Sequence, residues 1–229
     1  MTDQFFDEWI AYQKLIDHDY MGHRGFFQRL ESEIESRHAA PVTILDLGCG
    51  DVSPIKAILQ NIDIRLYHGV DESQTALSRA ADNLGSLELS FELQQGDIHE
   101  VLPQLSGPYD VILASFSMHH MQTVDSKQRV LEACRRILER DGSFFVIDVF
   151  SSAAQNREQY IEEWTEMARN RFTALNELEM STLLDHARTC DFPEPVAVYR
   201  KMAAAAGYTA VNALKRDVTG NYQMLVLGY

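Results

Sequence analysis

Short apolar runs alternate with segments of helical periodicity between Val42 and Phe150, and this alternation constrains the fold more than any other sequence feature. Helical segments such as Ser73 to Leu84 and Ser126 to Glu139 separate the runs VTILDLG, IRLYHGVD, LELSFELQQGD, YDVILASFS and GSFFVIDVF. The central runs are apolar at successive positions, as expected of parallel strands covered on both faces. Strands that alternate with helices form βαβ units, so the sequence predicts an α/β fold with a doubly wound, mostly parallel sheet.

The flanking segments predict further elements around this core, which spans residues 41–150. Two amphipathic helices precede the first strand, and we interpret residues 1–40 as an N-terminal helical lid. Strand signals disappear over residues 151–192, which predicts a helical cap insertion. Residues 193–229 contain a helix and two strand candidates separated by a turn signal, which together predict a C-terminal β-hairpin. We expect one domain of 229 residues.

Charge and cysteine content narrow the classes of partner. The chain has 20 basic and 34 acidic residues, a formal net charge of −14, which disfavours nucleic acid and anionic membranes. Three cysteines without metal-ligand spacing predict neither a disulfide framework nor a metal site. The N-terminal MTDQFFDEWI lacks the features of a signal peptide. We therefore expect a cytoplasmic protein, monomeric or homodimeric, with a small-molecule partner.

The segment Asp46–Gly50, DLGCG, follows the first strand and predicts a ligand-binding loop. Its glycines allow a sharp turn and a close approach of the backbone to a ligand. Asp71 ends the second strand about 20 residues later, where a carboxylate accepts hydrogen bonds from ribose hydroxyls. Asp97 ends the third strand, where it is able to bind an adenine amino group while Ile98 packs on the ring; an acid at this place also serves as a helix cap.

These residues resemble the class I S-adenosylmethionine-dependent methyltransferase family. LDLGCG is similar to its first motif, GVDES to its second and QQGDI to its third, and the resemblance covers roughly residues 42–149. It implies a seven-stranded Rossmann-like sheet whose last strand runs antiparallel, in agreement with the predicted hairpin. It also implies S-adenosylmethionine as the cofactor, which makes residues 41–150 the cofactor-binding core.

The resemblance implies which residues hold this cofactor. Those matching Asp46, Gly48 and Gly50 surround its methionine part, and those matching the later acids bind ribose and adenine. The predicted cofactor-binding residues are Asp46, Gly48, Gly50, Asp71, Glu72, Asp97, Ile98, Ser115 and Arg24. One departure from the family pattern is Val52, which occupies the usual third glycine position of GxGxG.

Histidines are the candidate catalytic bases. Methyl transfer requires alignment of the acceptor's lone pair and removal of a proton from a hydroxyl or a protonated amine. His119 and His120 follow the fourth strand at the carboxyl edge of the sheet, and His23 lies in the break between the N-terminal helices. A structural role stays open for each of them.

Other polar residues are candidates for the acceptor site. Tyr20 and Asp148 are predicted to bind the substrate, and Arg24 is predicted to pair with the methionine carboxylate of the cofactor, although Tyr20 and Arg24 also suit helix ends. His186 and Asp191 are interpreted as turn and surface residues that have a weaker claim to the pocket.

The sequence therefore predicts an enzyme that transfers a methyl group from S-adenosylmethionine to an oxygen or nitrogen of a small-molecule acceptor. Two alternatives stay open. One is a non-catalytic, S-adenosylmethionine-binding regulatory protein, which the departure at Val52 allows. The other is a nicotinamide-dependent dehydrogenase, which fits less well because Ser53 occupies the third glycine position of G-x-G-x-x-G.

Overall fold

The computed structural model describes residues 3–39 and 41–228. The ends of the predicted segments at Met1, Thr2, Ala40 and Tyr229 lie outside the described residues. The α-helices are α1 (Asp3–Asp17), α2 (His23–Arg37), α3 (Lys56–Leu59), α4 (Gln74–Gly85), α5 (Ile98–Val101), α6 (Val124–Ile137), α7 (Arg157–Arg171), α8 (Glu177–Cys190) and α9 (Val196–Ala205). The strands are β1 (Val42–Leu47), β2 (Ile64–Asp71), β3 (Phe91–Gln95), β4 (Tyr109–Ser115), β5 (Leu138–Val149), β6 (Ala210–Arg216) and β7 (Tyr222–Gly228). Two 3₁₀ turns span Leu102–Gln104 and Met118–His120.

The strands form one seven-stranded sheet in the order β3-β2-β1-β4-β5-β7-β6. The neighbours among β1 to β5 pair in parallel, and β7 runs antiparallel to both β5 and β6. The predicted mostly parallel sheet with an antiparallel last strand is therefore confirmed. The winding reverses between β1 and β4, which opens a crevice beyond their carboxyl ends.

The core lies on both faces of this sheet. Alternate residues of a strand point to opposite faces, so Ile44 joins one buried cluster while Leu45 and Leu47 join the other. In β4, Val111 and Ile112 divide in the same way. This double burial is why the central runs are continuously apolar, as the sequence predicted.

Capping residues determine where the flanking helices begin. Ser73 caps α4, as its hydroxyl accepts a hydrogen bond from the backbone of Ala76. Asn156 and Asn176 form capping boxes at the starts of α7 and α8, the predicted helical insertion. The prediction for α6 was wrong by two residues at each end. The helix begins early because Thr123 caps it through a capping box with Ser126, and it ends early because β5 begins at Leu138, well before the apolar run.

The N-terminal helices and the insertion pack together over the crevice. On α1, Lys14 Nζ lies 2.7 Å from both carboxylate oxygens of Glu179 on α8. On α2, Phe26, Phe27 and Leu30 are buried in the same cluster as the insertion's apolar side chains. Within residues 3–39 and 41–228, no helix has both the length and the apolar character needed to cross a membrane.

Candidate active site

A cavity of about 370 Å³ lies at the crevice where the sheet reverses its winding. Residues from the loops after β1, β2 and β4 line it together with residues from α1, α2, α4 and α8. The lining residues are Ala11, Tyr12, Leu15, Phe27, Gly48, Cys49, Gly50, Asp51, Pro54, Ile55, Asp71, Ser73, Ala76, Arg79, Ser115, Phe116, Ser117, His120, Thr182, Leu183 and His186. Four of the predicted cofactor-binding residues, Gly48, Gly50, Asp71 and Ser115, are among them.

The glycine loop after β1 forms one wall of the cavity. Gly48 and Gly50 have φ angles of +74° and +56°, in the left-handed region that other residues rarely adopt. A Cβ atom on Gly48 would lie 2.6 Å from Cβ of Ser117, whereas a Cβ on Gly50 would meet nothing within 4 Å. Ser117 Oγ donates a hydrogen bond of 2.7 Å to the carbonyl of Leu47, which joins the ends of β1 and β4. The loop thus leaves open space at Gly50 while it packs tightly at Gly48.

Asp71 connects the glycine loop to the end of β2. Its Oδ2 accepts a hydrogen bond of 2.9 Å from the backbone nitrogen of Gly50, and its Oδ1 accepts one of 2.8 Å from that of Ser73. A carboxylate has about four lone-pair positions, so both oxygens keep acceptor capacity toward the cavity. The residue is therefore able to support the loop and to accept hydrogen bonds from two adjacent hydroxyls of a ligand.

Asp46 is a buried carboxyl next to the loop and does not line the cavity itself. Its Oδ2 accepts a hydrogen bond of 2.7 Å from the hydroxyl of Tyr67, and its Oδ1 has no partner among the described residues. Burial and, to a smaller extent, the charge of Asp71 raise the pKa of Asp46 to about 7, against the hydrogen bond from Tyr67, which lowers it. A positively charged ligand nearby would favour its ionised form.

Several cavity residues were not predicted from the sequence. Asp51 is buried directly after the glycine loop, and it accepts a hydrogen bond of 3.2 Å from the side chain of Gln13 on α1. Tyr12 and Arg79 line the cavity from α1 and α4. An acid next to DLGCG was a usable signal for Asp51, but nothing in the local sequence indicates that α1 or α4 turns a side chain toward this cavity.

The remaining predicted cofactor residues lie outside the cavity lining. Asp97 caps α5 with a 2.6 Å hydrogen bond from the backbone of His99, and Ile98 packs on an apolar cluster. Glu72 is exposed, and so is Arg24, which donates a hydrogen bond to the carbonyl of Asp17. Contacts of these four residues with a cofactor stay predictions.

Two residues near the cavity have strained backbones. Val52 has a φ angle of +64° and Phe116 one of +53°, conformations that are rare for residues with a Cβ and most unusual for a β-branched one. Val52 is fully buried, so its packing keeps the side chain in place. Val52 thus has the left-handed backbone geometry that glycine favours, at the third glycine position of the GxGxG pattern.

The structure separates the candidate histidines. His120 lines the cavity, whereas His119 is buried behind it and binds Asp148 Oδ1 through Nδ1 at 2.5 Å. Burial alone would lower the pKa of His119, but the charge and hydrogen bond of Asp148 and the charge of Asp191 raise it above the ordinary value. Partial burial and the nearby His119 and His186 lower the pKa of His120.

His23, the third candidate base, is buried against Phe116 at a ring-centroid distance of 4.6 Å. Neither ring nitrogen has a hydrogen-bond partner among the described residues, and burial lowers its pKa to about 4. His23 does not line the cavity. Tyr20 does not line it either, since its hydroxyl accepts a hydrogen bond from the backbone of Ala174 and its ring stacks on Phe172.

Two further polar residues were misjudged from the sequence. The interpretation of Asp191 as a surface residue is wrong, because it is buried, and its Oδ1 lies 3.5 Å from Nε2 of His119. His186 lines the cavity from α8, with its ring centroid 5.3 Å from that of His120. Asp148, a predicted substrate-binding residue, is fully buried and accepts hydrogen bonds from the backbones of His119 and Val149.

A comparison with known families identifies the core of the chain. Residues 44–142 match a sequence profile described as "Methyltransferase domain", and this stretch runs from β1 into β5. The chain carries a methyltransferase domain. The matched stretch contains the glycine loop, Asp71 and both histidines after β4, so the methyltransferase domain supplies most of the cavity. S-adenosylmethionine is the cofactor of this family, as the sequence motifs predicted.

Solved structures share the fold of the methyltransferase domain. A S-adenosylmethionine-dependent methyltransferase from Clostridium acetobutylicum superposes with a TM-score of 0.67 at 12% identity, covering 97% of this chain and 98% of that one. A putative O-methyltransferase from Nostoc punctiforme has a TM-score of 0.64 at 18% identity, covering 98% and 67%. The methyltransferase SibL has a TM-score of 0.58 at 16% identity; 82% of this chain is covered, and the chain spans 50% of SibL. No curated protein sequence matches the chain significantly.

The residues present fit S-adenosylmethionine. Its sulfonium and ammonium groups are cationic, and the acids Asp51 and Asp71 line the cavity with Asp46 directly behind them. The unpartnered Oδ1 of Asp46 and the open space at Gly50 are both features that a bound ligand would explain. We refer to Gly48, Gly50 and Asp71 as the cofactor side of the cavity.

Proposed function

We propose that the protein transfers a methyl group from S-adenosylmethionine to an oxygen or nitrogen of a small-molecule acceptor. The observation that carries this proposal is that one cavity contains both the cofactor side and a second set of residues. This acceptor side consists of His120, Thr182, Leu183 and His186. It combines imidazole, hydroxyl and aliphatic groups, which suits a small organic molecule with a polar reacting atom.

Positioning is the main contribution of the protein to such a reaction. The bound cofactor supplies a methyl group on a positively charged sulfur, which is already a good leaving group. With the cofactor held by Gly48, Gly50 and Asp71, its methyl carbon would be available to the acceptor's lone pair, and its sulfur would keep the electron pair of the carbon–sulfur bond. A hydroxyl or protonated amine of the acceptor would also lose one proton, which passes to solvent. Glycine-loop contacts and Asp71 hold one partner, and the acceptor side aligns the other.

We also propose that α1 and α8 act as a lid within a single domain. Both helices line the cavity, through Tyr12 and Leu183 among others, and the ion pair between Lys14 and Glu179 joins them. A lid that closes over the reactants excludes water and completes their alignment. A cytoplasmic location and assembly as a monomer or homodimer stay predictions of the sequence.

Cofactor binding is tested by calorimetric titration with S-adenosylhomocysteine. We expect micromolar affinity for the unmodified protein, and a loss of at least about tenfold in Asp71→Ala, because that variant loses the ribose acceptor and the support of Gly50. Asp82→Ala removes an exposed acid from α4 and should leave the affinity unchanged. Absence of binding to the unmodified protein would contradict the proposal.

Methyl transfer is tested with radiolabelled S-adenosylmethionine and a fractionated extract of small metabolites. We expect a labelled product whose formation falls at least about tenfold in His120→Ala, while the affinity for S-adenosylhomocysteine changes less than about threefold. The split between turnover and cofactor affinity separates the acceptor side from the cofactor side. Persistent absence of labelled product, together with normal cofactor binding, would favour a regulatory protein that binds the cofactor without catalysis.

A further inference from the structure

Two histidines and an aspartate converge where the 3₁₀ turn after β4 meets the end of α8. One potential ligand atom from each of His119, His120 and Asp191 can be chosen so that all three lie within 4.8 Å of one another. Asp191 Oδ1 is 3.5 Å from Nε2 of His119 and 3.7 Å from Nδ1 of His120. These separations are too long for hydrogen bonds. They approach the ligand-to-ligand distance of about 3.3 Å that follows from metal–ligand bonds of about 2.0 Å in a tetrahedral site.

His119 is oriented as a metal-binding histidine is usually oriented. Its Nδ1 lies 2.5 Å from Asp148 Oδ1, and its Nε2, the atom through which the neutral imidazole would bind an ion, faces Asp191 Oδ1 at 3.5 Å. Asp148 is itself fixed, because it is fully buried and also accepts hydrogen bonds from the backbones of His119 and Val149. A carboxylate behind a histidine of this kind sets the tautomer and the ring orientation at metal sites.

Asp191 gives a second, independent indication of a ligand. It is 6% exposed, and its Oδ1 accepts no hydrogen bond from any described residue. A buried carboxylate oxygen without a partner is costly and calls for an explanation. This unpartnered oxygen points at the two imidazoles, where a cation would satisfy it.

We propose that His119, His120 and Asp191 bind a divalent transition-metal ion of the Zn²⁺ class. Two imidazoles and one carboxylate form a ligand set typical of such ions, and three protein ligands leave at least one coordination position open. An ion has a route to the site, since the His120 side chain is 42% exposed and the residue lines the cavity. On binding, Nδ1 of His120 exchanges its 3.3 Å contact with the carbonyl of Cys190 for the metal.

The metal site also indicates the class of acceptor for the proposed function. Only this assignment of the acceptor rests on the proposed function; the metal site itself does not. Because His120 also belongs to the acceptor side, the open coordination position faces the acceptor. An acceptor that carries a hydroxyl oxygen fills that position, and coordination lowers the pKa of the hydroxyl so that its proton is lost to solvent. The acceptor class is therefore a small molecule with a metal-binding hydroxyl, and His120 acts on it through the ion.

Metal binding is measured on the chelator-treated full chain, without cofactor or acceptor. Calorimetry with Zn²⁺ should give one site of micromolar or tighter affinity, and Co²⁺ should give the visible absorption of a four-coordinate site. Asp191→Asn, which preserves the shape of the side chain, and His119→Gln should each weaken Zn²⁺ binding at least about a hundredfold. Asp148→Asn should weaken it about 10- to 100-fold, through the orientation of His119.

His186→Ala is the matched control, because His186 lies beside His120 but outside the three-residue cluster. It should change Zn²⁺ affinity less than about threefold. Zn²⁺ binding weaker than about 100 μM, or binding that Asp191→Asn and His119→Gln both leave unchanged, overturns the metal site. Circular dichroism confirms that the variants are folded. Titration of the same chelator-treated protein with S-adenosylhomocysteine shows separately whether the proposed function stands.

Discussion

The two sides of the cavity differ in how the chain builds them. Gly48, Gly50 and Asp71 of the cofactor side lie within 24 consecutive residues and follow adjacent strands, β1 and β2. The acceptor side joins His120 after β4 to residues of α8, more than sixty positions away. Local backbone geometry determines the first side, and packing between distant elements determines the second. Local geometry of this kind is what a short sequence motif is able to specify, whereas packing between distant elements leaves no such motif.

Asp148, the buried partner of His119 behind the acceptor side, is the position where we expect a substitution to have the largest effect on stability. Asp148→Ala removes the acceptor of three hydrogen bonds, from His119 N, His119 Nδ1 and Val149 N. We expect a loss of about 4 kcal/mol in the free energy of unfolding, because buried donors lose their partner and a buried pair is broken. Urea unfolding of chelator-treated protein measures this loss. Asp148→Asn keeps one acceptor oxygen and should cost about half as much; equal stabilities of the two variants would contradict this account.

On the cofactor side, substitutions of Gly48 and Gly50 should affect stability and cofactor affinity to different extents. Gly48→Ala should destabilise the fold by about 3 kcal/mol, since alanine is strained at φ +74° and its Cβ would lie 2.6 Å from that of Ser117. Gly50→Ala meets no neighbour within 4 Å and should cost only about 1 kcal/mol of backbone strain. Its methyl group occupies open space beside the cavity, so the affinity for S-adenosylhomocysteine should fall about tenfold. Urea unfolding and calorimetry test the pair, and the reverse ranking of stabilities would sink this assignment.

The parallel part of the sheet was predictable from sequence because of its burial. Strands β1, β4 and β5 are covered on both faces, so their residues form continuous apolar runs. Such short runs are typical of buried parallel strands. No comparable local signal indicates that β7 lies between β5 and β6, because this position depends on which edge of the sheet the hairpin pairs with. The family resemblance implied only that the last strand runs antiparallel. The early start of β5 at Leu138 was missed for the same reason, since LERDG is polar and its pairing with β4 is long-range.

The residues of the site also differ in how far the sequence alone predicts their surroundings. Glycines and strand-end acids indicate a ligand loop by themselves, and Gly48, Gly50 and Asp71, which were predicted to bind the cofactor, line the cavity. His119 and His120 are adjacent in sequence, and only tertiary packing decides that one binds Asp148 while the other lines the cavity. Asp191 was misjudged because a polar residue after a helix is usually exposed. The sequence predicted no metal site for a related reason, since the proposed ligands lie about 70 residues apart.

Val52 tests whether the departure from the family pattern carries a cost in stability. At an ordinary buried site, Val→Gly is about 0.5–1 kcal/mol worse than Val→Ala. At φ +64° the order should be inverted, with Val52→Gly about 1 kcal/mol more stable than Val52→Ala, because both lose the same packing but only glycine is free of strain. Midpoints of urea unfolding give the ranking. A more stable alanine variant would mean that the backbone relaxes to negative φ once valine is removed.

The smallest expected effect concerns the ion pair between Lys14 and Glu179, which joins α1 to α8, the two helices of the proposed lid. The hydrogen bond from Lys14 lowers the pKa of Glu179 below its usual value of 4.5. A carboxylate with a lowered pKa stabilises the fold above its unfolded-state pKa, and this stabilisation disappears as the pH falls through the folded-state value. Lys14→Met should therefore cost about 0.5–1 kcal/mol at pH 6.5 and less as the pH is lowered to 4 and below.

Urea unfolding at both pH values measures that difference, with Lys201→Met, a change of an exposed lysine on α9, as the control for lost positive charge. If the cost of Lys14→Met is the same at pH 6.5 and pH 4, the ion pair contributes nothing and the two helices are joined by their apolar contacts alone. In that case the affinity for the cofactor should fall more in Leu15→Ala, which changes a cavity residue on α1, than in Lys14→Met. We expect instead that Lys14→Met costs more at pH 6.5 than at pH 4, because Glu179 loses its charge as the pH falls through its lowered pKa.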